Sequence, residues 1–85
     1  MNEKRKVQLE MLAKFQTSML SIMQDILNNK KEEKEGFELK DVLFDISNTT
    51  NMMMKVYMGM SEEDFTEEEK NMYSTMIMLF KLSQE

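Results

Sequence analysis

Three stretches of the chain carry apolar residues at helical spacing. From residue 2 to about residue 29, Leu9, Leu12, Phe15, Met19, Leu20, Ile22, Met23, Ile26 and Leu27 recur every three or four positions, the period of one helix face. At 100° per residue they span about half of the helix cylinder, which predicts a first helix with neighbours on two sides. Asn28 and Asn29 supply its stop signal. The run KKEEKEG at 30–36 has no apolar residue and ends in glycine, so it reads as a solvated connection. A second helix is predicted over about 37–59, with its main stripe at Leu39, Val42, Leu43, Ile46, Thr49 or Thr50, Met53, Val56, Tyr57 and Met60. Gly59 is placed to close its last turn in the left-handed conformation. The segment SNTTN at 47–51 consists of weak helix formers whose side chains compete for backbone hydrogen bonds, so a kink or break is expected there if the helix has one. Ser61 and Thr66 are candidate N-caps, and Thr66-x-x-Glu69 matches a capping box. It opens a third helix over about 66–83 with the stripe Met72, Tyr73, Met76, Ile77, Leu79 and Phe80.

This pattern predicts an all-α protein: a small antiparallel three-helix bundle, a single domain over residues 1–85, with a tendency to self-associate. Two helices carry more apolar surface than such a bundle needs. Phe44, Ser47, Asn51, Met54 and Met58 alternate three and four apart, off the main stripe of the second helix, as in a packing seam. On the third helix Met78 and Leu82 line up with Asn71 and Thr75 away from the core stripe. Of the five methionines between 51 and 60, Met52, Met53 and Met60 project with the core, and only Met54 and Met58 project outward. The candidate partner-binding or dimer surface is therefore Phe44, Ser47, Asn51, Met54, Met58, Met78 and Leu82, expected to merge into one patch.

Composition strengthens this picture. Proline is absent and glycine occurs twice, leaving almost no helix breakers. A chain of 85 residues buries only about 60–65% of its unfolded surface, so a second copy or a partner protein would add needed stability. Methionine, at 12 residues, is flexible and polarizable, and fills irregular cores or forms adaptable binding surfaces. There is no cysteine, hence no disulfide and no thiolate ligand or nucleophile. No stretch approaches the roughly 20 apolar residues of a membrane span, and no signal-peptide pattern opens the chain, so a cytoplasmic setting is expected.

Charge and candidate chemistry narrow the function classes. Sixteen acidic against eleven basic residues give a net charge of −5, which repels phosphate backbones and argues against nucleic acid as a partner. With neither histidine nor cysteine, the usual neutral-pH base and the common nucleophilic pairs are missing, so no catalytic residue and no cofactor is expected. The acids Glu62, Glu63, Asp64, Glu67, Glu68 and Glu69 lack the internal glycine turn of a calcium loop. They read instead as helix N-terminal acids that complement the dipole, with no metal site.

The resulting expectation is a non-enzymatic helical protein-interaction module, a regulator, adaptor or inhibitor that binds a protein partner or forms a homodimer through methionine-rich faces. The alternative is a small DNA-binding transcriptional regulator using Lys4, Arg5 and Lys6 on phosphates, or an acidic surface that imitates DNA. The Lys-, Glu-, Asn- and Met-rich composition resembles that of small accessory proteins of low-GC bacteria and their phages.

Overall fold

Asn2 opens the first helix by accepting a hydrogen bond at its side-chain oxygen from the Arg5 N–H, 2.9 Å away, which satisfies a donor the helix itself cannot. In the computed structural model, which describes residues 2–83, α1 spans Glu3–Leu27, α2 Leu39–Tyr57 and α3 Glu67–Ser83, with a single 3-10 turn at Glu62–Asp64 between the last two. No strand occurs among the described residues.

Both long helices stop by the same device. Asn29 adopts φ 57° and Gly59 φ 83°. The Lys30 N–H then reaches the Asp25 carbonyl at 2.8 Å, and the Met60 N–H reaches the Lys55 carbonyl at 2.9 Å. Each is the long bond of a Schellman closure, which uses carbonyls left without partners at a helix end. At Gly59 the left-handed backbone comes without strain, while Asn29 is one of the few side chains that tolerates it.

The segment 47–51 does not break α2. Thr49 Oγ1 lies 3.0 Å from the Asp45 carbonyl and 2.9 Å from that of Ile46, and Thr50 Oγ1 lies 2.9 Å from the latter. Gln16 on α1 supplies the tertiary link: its Nε2 stands 3.0 Å from Thr49 Oγ1, 2.7 Å from Thr50 Oγ1 and 3.1 Å from the Ile46 carbonyl. The hydroxyls that would compete with the helix are bonded to it and to α1, so the turn stays helical.

α1 packs along α2 far more extensively than either packs on α3. The core joins Leu12 of α1, Met52 and Val56 of α2, Phe65 of the connection, and Tyr73 and Met76 of α3. Phe65 and Tyr73 meet edge to face, with ring centroids 5.5 Å apart and planes at 76°. Full burial of a side chain such as Leu12 contributes about 1.5–3 kcal/mol.

Several residues of the expected stripes lie outside this core. Leu20 and Leu27 of α1, Leu43 and Tyr57 of α2, Met60 beyond it and Leu79 of α3 are exposed. On α2 the buried residues are Val42, Thr49, Met52 and Val56, whose mean direction lies roughly 100° from that of Leu43, Thr50 and Tyr57. Thr49, not Thr50, is thus the buried threonine, and Met60 is carried off the helix by Gly59. Phe65, unassigned from sequence, is buried because the turn after Glu62 drops it onto the core.

Candidate protein-interaction surface

The seam on the second helix lies on its outer face. Phe44, Met54 and Met58 are 53%, 56% and 69% exposed, and Ser47 and Asn51 between them are exposed as well. All five lie opposite the buried residues of α2, so the helix shows solvent a run of large apolar side chains with a polar middle. Phe44 is about 15 Å along the axis from Met54.

The lower half of this strip forms one wall of an open groove of about 310 Å³, lined by Asn51, Met54, Lys55, Met58, Met60, Thr66 and Glu69. Met54 and Met58 thus face Met60 and the first turn of α3. Thr66 and Glu69 form the capping box: the Glu69 N–H donates to Thr66 Oγ1 at 3.1 Å, and the Thr66 N–H donates to Glu69 Oε1 at 2.8 Å. The same carboxylate oxygen accepts from Lys55 Nζ at 2.6 Å. That ammonium also stands 6.0 Å from the centre of the Phe65 ring, within reach of a cation–π attraction. Burial pushes the Glu69 carboxyl up, but the hydrogen bonds from Lys55 and from the Thr66 backbone outweigh it and hold its pKa below the usual range. The groove therefore has a rigid, internally neutralised charged side and a flexible methionine side.

Met78 and Leu82 on α3 are also more than half exposed, but they do not line this groove. The inner faces of α2 and α3 share one core, through Met52 and Val56 on one and Tyr73 and Met76 on the other. A second apolar groove of about 300 Å³ lies between α1 and α3, lined by Met11, Lys14, Phe15, Ser18, Met76, Leu79, Phe80 and Ser83. It follows from the loose packing of α3 on α1, which sequence spacing does not encode.

Several of the charged residues singled out from sequence have partners within the fold. Arg5 donates to the Val56 carbonyl at 2.9 Å, to Gly59 at 2.8 Å and to Met60 at 3.1 Å, so its guanidinium caps the end of α2. Of the basic trio, Lys4 and Lys6 are exposed. In the acidic run, Asp64 accepts from the Ser61 N–H at 3.0 Å, and Glu62 accepts from the Gln8 amide at 3.0 Å. The Gln8 Nε2 stands 3.1 Å from Tyr73 Oη as well. Burial, and the Glu62 charge after it, raise the Tyr73 phenol above its ordinary pKa, against the lowering effect of the Gln8 hydrogen bond. Asp45, on the wall of a cleft with Phe15, Asn71, Met72, Thr75 and Met76, is raised by burial and by neighbouring Asp41.

Among the described residues no three acidic side chains converge as metal ligands would, and no helix is long and apolar enough to cross a membrane. Comparison with protein-family models, with curated proteins and with solved structures finds no match.

Proposed function

We propose that this protein is a non-enzymatic helical interaction module, a cytoplasmic regulator, adaptor or inhibitor, that uses the outer face of α2 to hold a helix of a protein partner. The observation that carries this reading is the exposure of Phe44, Met54 and Met58 along one face, with Met54 and Met58 opening onto a groove whose opposite wall is fixed by the Lys55–Glu69 pair. Exposed apolar residues at three- and four-residue spacing suit an amphipathic partner helix. Methionines beside a rigid wall adapt to its side chains at low cost. Catalysis has less support: the most buried carboxylate, Glu69, is held in its ionised form by Lys55 and by the helix cap.

The alternative of phosphate binding loses one of its three cations, since Arg5 is bonded to α2. The double substitution Met54→Glu with Met58→Glu tests the proposal. It is expected to leave the helical content nearly unchanged, because both side chains are exposed, and to abolish association. Retained association in the folded double variant would refute it.

A further inference from the structure

We propose that the occupant of the α2 face is a second copy of this chain, packed antiparallel about a twofold axis that passes beside Asn51. This rests on the reading of that face as a docking surface and adds the identity of what docks.

The spacing of the strip is the first ground. Residues 44, 47, 51, 54 and 58 run three, four, three, four, and inversion about residue 51 maps the set almost onto itself. Phe44 then meets Met58 of the second copy, Ser47 meets Met54, and Asn51 meets Asn51. Each pairing is chemically complementary. A methionine sulfur packs favourably against an aromatic ring. The small Ser47 leaves room for the long Met54, as interdigitating layers require. Asn51 carries a donor and an acceptor on one carboxamide, so two copies across a twofold axis can exchange two hydrogen bonds. A polar residue in such a seam fixes register.

Charge is the second ground. The five seam positions hold no charged residue, so the acidity of the chain sits elsewhere and does not concentrate repulsion at the contact. Lys40 lies on the same face one turn before Phe44, with its side chain 79% exposed. In the antiparallel register it reaches one turn past Met58 of the second copy. There the C-terminal end of α2, whose carbonyls Arg5 caps, is followed by the acids Glu62 and Glu63, which line a cleft with Lys4 and Arg5. In a parallel pair, Lys40 would face Lys40.

Area is the third ground. Together with Leu43 and Tyr57, which flank the strip and are exposed, Phe44, Met54 and Met58 offer roughly 600 Å² per copy, or about 1,200 Å² for the pair, the lower bound for a stable specific interface.

The absence of cysteine in the chain makes the test clean. Phe44→Cys protein and Met58→Cys protein are oxidised separately and as a mixture, with Asn51→Cys and Met78→Cys alone as further samples. The expected result is a linked dimer in the mixture and in Asn51→Cys, with little in Phe44→Cys, Met58→Cys or Met78→Cys alone. Sedimentation of the unmodified chain is expected to give twice the monomer mass, falling to the monomer in the Met54→Glu, Met58→Glu variant. Self-linking of Phe44→Cys or Met58→Cys as strong as in the mixture, or dominant linking through Met78→Cys, would overturn the arrangement. So would a monomeric mass at about 1 mM, where even a millimolar-affinity pair is half assembled. If the chain is monomeric yet a different protein binds it and is lost in the double Glu variant, the second copy falls and the docking face stands. If neither associates, both fall. Circular dichroism verifies the fold of each variant.

Discussion

Lys55 and Glu69 lie on different helices, and the Lys55 ammonium stands 2.6 Å from a carboxylate whose side chain is 2% exposed. Sequence separation makes the contact long-range, yet it joins the last turn of α2 to the first turn of α3 and stiffens the wall of the methionine groove. Breaking a fully buried pair from one side costs about 3–5 kcal/mol. Lys55 keeps some contact with water, so Lys55→Met is expected to cost about 2 kcal/mol, read as a lower urea midpoint with an unchanged slope.

Two carboxylates should respond to acid in opposite directions. The Glu69 pKa is lowered in the folded chain, so the folded state binds fewer protons than the unfolded one. Its stabilisation is complete above the ordinary glutamate range and is lost as pH falls through the folded value. Wild type should therefore lose more stability than Glu69→Gln between about pH 5 and pH 3. Asp45 is raised, so its ionised form disfavours folding, and that penalty disappears as pH falls through the raised value. Asp45→Asn is accordingly expected to raise the thermal midpoint at neutral pH and to lose that advantage in acid.

The two helix ends differ in residue at the same backbone conformation, which gives a matched pair of substitutions. Nothing lies within 4 Å of where a Gly59 Cβ would stand, so Gly59→Ala tests conformation alone. It should cost about 1–2 kcal/mol. Asn29→Gly should gain up to about 1 kcal/mol. Thermal unfolding of both variants checks the signs.

Arg5 makes three hydrogen bonds to carbonyls of residues 56–60. Arg5→Ala is expected to cost about 1–2 kcal/mol, with water replacing part of the loss at this partly buried site. Arg5→Lys should recover only part of it, because an ammonium lacks the planar fork that spans several acceptors. Denaturant titration of the three proteins orders them.

What was legible in the sequence was local. Capping chemistry at Thr66 and Glu69, the stops at Asn29 and Gly59, and helical periodicity all act over a few residues, so they read directly from spacing. The outward projection of Phe44, Met54 and Met58 follows from the same geometry. Contacts between elements did not read out. Nothing near Gln16 marks it as the amide that holds 47–51 helical, and nothing near Arg5 marks it as a cap for α2. Phe65 sits among acids and belongs to no stripe, and Tyr57 and Leu43 project with the core stripe, because a helical wheel cannot say how far α3 reaches around its neighbours. The groove beside Met54 and Met58 depends on Met60 and Thr66 folding back against α2, which no single-helix projection contains.

The Arg5 clamp also bears on the order of events in the molecule's fluctuations. The start of α1 and residues 56–60 are far apart in the chain but are joined by one guanidinium bonded to three carbonyls, so opening of either end of the contact costs the other its bonds. Amide protection at the end of α2 is expected to fall when Arg5 is replaced. A label or fusion that disturbs the start of α1 would then loosen the end of α2, and with it the lower edge of the methionine face.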